Sequence, residues 1–138
     1  MDDFSAALCE CLKEYGLETG AWVLLPNHYH AVVLSERVLE LLKALGRLHG
    51  KSSFLWNGEE QMRGRKVWCN AIERALLTDS HHYAALNYVH HNPVKHGHVE
   101  RWTDWRWSTA NEYLERLGHD EAVRRWKEYP AKGLEHEP

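Results

Sequence analysis

Two short segments carry the residues best suited to chemistry, Asn27-His28-Tyr29-His30 and Tyr88-Val89-His90-His91-Asn92-Pro93. In an extended strand alternate side chains share a face, so His28 and His30 point one way and Tyr29 the other. Two imidazoles on one face can chelate one metal ion. Nitrogen ligands suit Mn²⁺ and Zn²⁺, and Mg²⁺ tolerates them when oxygens complete its shell. The spacing alone is weak: with eleven histidines in the chain, about one His-x-His is expected by chance, and His96-Gly97-His98 is a second. On spacing alone, solvated or hydrogen-bonded histidines are the better reading. Context strengthens the metal reading, because the first pair interrupts an apolar extended segment where unpaired polar groups are costly to bury.

In the second segment, a helix puts Tyr88 and Asn92 on one face, four residues apart. The Asn92 amide oxygen can ligate a hard cation. The Tyr88 phenol can attack phosphorus when a nearby metal polarises the phosphate and the phenolic proton is removed. Locally, the simpler alternative is stronger: Tyr88 packs as a core aromatic and Asn92 caps the helix. Among His81, His82, His90 and His91, one could serve as proton shuttle or phosphate contact, with most of them on the surface. Trp68, Trp102, Trp105 and Trp107 could stack unpaired bases, although packing is expected of most.

The elements that must position these residues can be read from periodicity. Phe4, Ala7, Leu8, Cys11, Leu12 and Tyr15 predict an amphipathic helix over 3–16. Residues 21–34 read as extended, and Pro26-Asn27 divides them into two strand pieces joined by a turn or bulge. Ser35 is a suitable N-cap for a helix over 36–49 with Leu39, Leu42 and Leu45 inward. Gly50, Asn57-Gly58 and Gly64 predict a loop with a short hairpin over 50–66. An apolar piece at 67–69 precedes a helix near 70–77. Asp79 or Ser80 caps a further helix over 80–91, which Asn92-Pro93 should end. Helices near 108–117 and 119–128 form the tail. The order favours an α+β fold over a helical bundle.

The 138 residues fit one domain, 1–138, with a helical C-terminal tail, and the 43% hydrophobic and 27% charged shares are those of a globular protein. No apolar run is long enough to span a bilayer, and the acidic start has no signal-peptide pattern. A bacterial cytoplasmic, nucleoid-associated protein is expected. Cys9, Cys11 and Cys69 form no disulfide framework and are read as core or surface thiols. The net charge of -3 runs against phosphate binding. It is unevenly spread, however, and Lys43, Arg47, Lys51, Arg63, Arg65 and Lys66 make the middle basic. These six, with Lys95 and Trp105, are the candidate DNA contacts. On charge alone a solvated helix face and loop explain the basic middle equally well.

Taken in order, the segments resemble a known family. Val23-Leu24-Leu25-Pro26-Asn27-His28-Tyr29-His30 is similar to the MPNHxH segment of single-tyrosine HUH transposases. Val67-Trp68, Tyr88-Val89-His90-His91-Asn92-Pro93-Val94-Lys95-His96-Gly97 and Asp104-Trp105-Arg106-Trp107-Ser108 follow in the order found in REP-associated tyrosine transposases. Each motif is weak alone, and the ordered set over residues 4–114 is specific. The resemblance implies a ferredoxin-like α+β domain whose antiparallel central sheet is flanked by helices. It implies His28, His30 and Asn92 as ligands of Mg²⁺ or Mn²⁺, and Tyr88 as nucleophile on a neighbouring helix. The implied reaction cleaves and rejoins single-stranded or hairpin DNA through a 5′-phosphotyrosine, in a monomer or homodimer. Family members usually open with a strand containing an arginine. Here the chain opens almost directly into a helix, so the first edge strand is expected to be missing. Tyr29 stands where a plain hydrophobe is commoner.

Three functions remain open from the sequence: an active DNA strand transferase, a DNA-binding module of the same fold without catalysis, and a small metal-dependent hydrolase.

Overall fold

A computed structural model describes residues 2–15, 20–26, 28–33, 37–59 and 79–130. By contacts the chain divides into two units, one of Met1–Thr19 with Val33–Arg74 and one of Gly20–Val32 with Ala75–Pro138.

In the first unit, apolar residues three and four apart give helix α1, Asp2–Glu14, a single buried stripe of Phe4, Leu8 and Leu12. It packs against α2, Val38–Glu59, which contributes Leu41 and Leu45. Tyr15 is buried just past α1, and the Arg37 guanidinium lies 4.7 Å over its ring. Cys9 and Cys11 are free, half-buried thiols of α1. Burial, and then Glu14, push the Cys11 thiol above its ordinary range.

In the second unit, β1, Ala21–Leu24, pairs antiparallel with β2, Tyr29–Val32, in the register Ala21↔Val32, Val23↔His30 and Leu24↔Tyr29. The expected break at Pro26 is thus a reversal between two strands. A third extended piece flanks β1 on its other edge. Leu24 N–H donates to the Trp107 carbonyl at 2.8 Å, Thr109 N–H donates to the Trp22 carbonyl at 3.1 Å, and Val23 bridges Ser108. All four β1 residues are buried accordingly.

Helix α3, Asp79–Lys95, covers one face of this hairpin. Leu86 and Val89 meet Ala21, Val23 and Leu25 in the core, closed by Tyr113 and by partly buried Val32, Trp102 and Trp105. A 3₁₀ turn at Trp102–Asp104 leads to α4, Ala110–Leu117, and α5, His119–Glu128. The mixture of helices with an antiparallel sheet is α+β, as expected.

Two boundaries differ from expectation. The segment 50–59 is helical, not a loop with a hairpin, because α2 continues through Gly50 to Glu59. A glycine inside a helix costs about 1 kcal/mol but does not stop it, and Asn57-Gly58 falls in the last turn. Likewise α3 does not end at Asn92-Pro93 but carries Pro93 within its last turn. At that point proline removes one main-chain bond of a helix that is already ending. Closure comes two residues later. His98 N–H donates to the Pro93 carbonyl at 2.9 Å and Gly97 N–H to the Val94 carbonyl at 3.0 Å. Gly97 has φ +75°, so this is a Schellman cap with glycine in the left-handed position. The apolar piece at 67–69 and the helix expected over 70–77 lie outside the described residues. Among the described residues, no helix is long and apolar enough to cross a membrane.

Candidate active site

The face of β2 that carries Val32 to the core also carries His30 and, beyond the strand end, His28. Their ring centroids are 5.0 Å apart, edge to face. The His28 carbonyl accepts a hydrogen bond from Leu25 N–H at 2.7 Å, fixing the backbone where the hairpin turns. On α3, Ala85, Tyr88 and Asn92 recur at helical spacing beside the core stripe. The Tyr88 ring meets the His30 ring at 5.4 Å. Asn92 follows one turn on, 1% exposed and inside the helix, so it is not the helix cap.

The structure therefore brings together three of the residues singled out from sequence, and places the fourth on the same helix side. Nε2 of His28, Nε2 of His30, the Tyr88 hydroxyl and Oδ1 of Asn92 are buried atoms that make no hydrogen bond among the described residues. Burial, then the neighbouring His96 and His98, hold the His28 imidazole below its ordinary range. This keeps it neutral, the form that binds metals. Among the described residues, no three His, Cys, Asp or Glu side chains group as a metal site by themselves. Two imidazoles and an amide oxygen fit an ion whose remaining ligands are water or phosphate oxygens, the habit of Mg²⁺ and Mn²⁺. They do not make a closed structural zinc site.

Two neighbours emerge only in three dimensions. The His96 ring lies 5.7 Å from that of His28. The Lys95 ammonium lies 5.3 Å over the Tyr88 ring. The second His-x-His pair was the sequence signal for His96, and only the Schellman turn brings it back towards the first.

The other histidines separate by environment. His90 is 1% exposed, and burial lowers its pKa to about 3. Its Nε2 lies 2.8 Å from the Thr109 hydroxyl. His91 is stacked between Trp102 at 4.9 Å and Trp126 at 3.8 Å, and burial lowers it to about 4. His82 is half-buried beside Tyr83.

Of the candidate DNA contacts, Lys43, Arg47 and Lys51 are exposed along α2 in the first unit. Lys95 is exposed beside Tyr88. The Trp105 indole N–H donates to the Leu24 carbonyl at 2.8 Å, and its ring stacks on His98 at 5.2 Å, so much of this tryptophan serves the hairpin. Arg63, Arg65, Lys66 and Trp68 lie outside the described residues.

His30 on β2 and His28 just before it thus face a tyrosine on the covering helix of an α+β unit. Known proteins place the chain further. A Haemophilus influenzae protein carrying the name REP-associated tyrosine transposase is 30% identical over 119 residues, 79% of this chain and 68% of that one. The REP-associated tyrosine transposase of Escherichia coli K12 is 29% identical over 111 residues, 75% of this chain and 60% of the relative. The chain belongs to the REP-associated tyrosine transposase family. It spans less than two thirds of the length of the E. coli relative. No family model matches it, and no solved structure does.

Proposed function

We propose that this chain is a metal-dependent DNA transposase that cleaves and rejoins single-stranded or hairpin DNA, with Tyr88 as nucleophile. The observation that carries the reading is the approach of the Tyr88 ring to His30, whose ring neighbours His28 on the same strand face, in a chain whose relatives are named tyrosine transposases. The ferredoxin-like fold belongs to the same proposal, with β2, β1 and residues 107–109 as part of its sheet. So do action in the bacterial cytoplasm and a monomeric or homodimeric state.

The Tyr88 oxygen attacks the phosphorus of a phosphodiester. A Tyr–O–P bond forms, the bond from phosphorus to the 3′ oxygen breaks, and that oxygen leaves as a 3′-hydroxyl on taking up a proton. The DNA remains attached through a 5′-phosphotyrosine. A second 3′-hydroxyl then attacks the same phosphorus, and the phenol regains its proton. No water or nucleotide is consumed, because the ester is exchanged and not hydrolysed. His28, His30 and Asn92 would hold Mg²⁺ or Mn²⁺, which supplies Lewis-acid polarisation of the scissile phosphate when bound. His30 fixes the Tyr88 ring by edge contact, and Lys95 offers a cation to the phosphate beside it. Lys43, Arg47, Lys51, Arg63, Arg65 and Lys66 supply phosphate contacts along the DNA.

The test uses labelled hairpin oligonucleotides with a randomised single-stranded tetranucleotide flank, incubated with the full chain and Mg²⁺ or Mn²⁺. A covalent adduct stable to denaturing electrophoresis is expected. It should be lost in Tyr88→Phe and kept in Tyr29→Phe. An adduct undiminished in Tyr88→Phe removes the nucleophile assignment. Salt-dependent hairpin binding without an adduct under either metal leaves the chain a binding module.

A further inference from the structure

His90 is buried and takes no part in the proposed reaction. It lies on α3 two residues beyond Tyr88, hence about 200° around the helix from that residue. Its Nε2 is 2.8 Å from Thr109 Oγ1. The same hydroxyl accepts a hydrogen bond from Trp22 N–H at 3.1 Å and donates its own proton to the Trp22 carbonyl at 3.4 Å. A hydroxyl has one proton, so with that proton on Trp22 the bond from His90 must be donated by Nε2–H. The other ring nitrogen agrees: His90 Nδ1 is buried without a hydrogen-bond partner among the described residues. A bare lone pair is tolerated there better than an orphaned N–H. The ring is walled by Tyr113 at 4.7 Å and Trp102 at 6.0 Å.

One imidazole therefore ties α3 to β1 and to the strand piece at 107–109. β1 in turn carries β2 in fixed register, with Val23 opposite His30. We infer that the His90–Thr109–Trp22 junction is a clamp that sets the rotation of α3 and thereby holds Tyr88 against His30, making His90 a positioning residue. A purely apolar contact would allow α3 to turn about its axis. Rotation by about 10° moves a side-chain atom roughly 6 Å from the axis by about 1 Å. Misplacement of that size costs a well-oriented reaction on the order of 100-fold.

The inference rests on the proposed role of Tyr88, and its test separates the two. Glutamine places an amide N–H near the position of imidazole Nε2, whereas leucine fills the space without a donor. With 3-fluorotyrosine at position 88, the full-length His90→Leu chain should show a shifted or broadened ¹⁹F resonance for that ring, and His90→Gln should return it towards wild type. Thr109→Val, which removes the hydroxyl at nearly constant volume, should mimic His90→Leu and serves where leucine fails to fold. Adduct formation on hairpin DNA should fall by roughly 100-fold in His90→Leu and Thr109→Val and recover in His90→Gln. An unchanged resonance in folded His90→Leu or Thr109→Val overturns the clamp, as does a glutamine variant no better than leucine. If the wild-type chain forms no adduct, the transposase reading fails, and the ¹⁹F comparison still decides whether His90 positions Tyr88.

Discussion

His90 shows how one side chain can serve geometry while making the protein sensitive to acid. In the folded chain it stays neutral, with a pKa of about 3, whereas an ordinary imidazole titrates at 6.5. Below 6.5 the unfolded chain therefore binds a proton that the folded chain refuses. Stability is highest at neutral pH, falls as pH drops through 6.5, and levels off only near the folded value. Between pH 7 and pH 5 the loss from His90 is about 2 kcal/mol. His91, lowered to about 4 by burial between two tryptophans, adds to it in the same direction. For a chain of this size 2 kcal/mol moves the melting temperature by roughly 5–10 °C. Thermal melts at pH 7 and pH 5 should show that fall, and His90→Gln should flatten it. A variant as acid-sensitive as wild type would place the titration elsewhere. Tyr29 makes the complementary point. It is next to both site histidines in sequence, yet it lies on the opposite side of β2 from His30, and strand alternation alone predicted that.

At the scale of elements, α3 explains both what was legible and what was not. Helices α1 and α4 each bury one side and leave the other wet, and periodicity finds them. α3 buries Ala84, Ala85, Leu86, Asn87, Val89, His90 and Asn92, so its polar residues face inward to specific partners, and its composition reads as a surface helix stopped by proline. Asn87 is one such partner. Its side-chain amide donates to the carbonyls of Arg125 at 3.0 Å and Tyr129 at 2.9 Å, satisfying the C-terminal end of α5, where helix carbonyls lack intrahelical donors. Asn87→Leu should weaken the docking of α5 by about 1–3 kcal/mol. Faster hydrogen exchange over 119–129, with α3 amides unchanged, is the expected readout, and uniform loss of protection would mean that the tail and core unfold together. The strand piece at 107–109 was out of reach for another reason. Three residues carry no alternation, and their partners on β1 lie more than eighty positions earlier. The histidine pair and Tyr88 are each ambiguous locally, and only their order within a set of family motifs singles them out together. The Thr109 junction left no signal in sequence, because a threonine before a helix reads as an ordinary cap.

For the molecule as a whole, the proposed DNA contact has to be made by a chain of net charge -3. The first unit offers Lys43, Arg47 and Lys51, exposed on α2 at intervals of four residues. Such spacing sets successive cations about 6 Å apart along the helix axis, on the side away from the buried Leu41 and Leu45. A row of this kind can meet successive phosphates even when the total charge is unfavourable, since attraction between exposed charges fades beyond about 8–10 Å at physiological salt and the local row outweighs distant carboxylates. If all three reach phosphates of a single strand, changing them together to glutamine should weaken binding most at low salt. It should also reduce the slope of log affinity against log salt by about 2. Fluorescence anisotropy of a labelled hairpin oligonucleotide, measured from low to physiological salt, reads both quantities. The comparison must be made on slope as well as affinity, because loss of folding lowers affinity at every salt concentration without the graded change that counterion release requires. A triple variant with the wild-type slope would take α2 out of the DNA contact and leave Lys95 and the basic residues of 63–66 to account for binding.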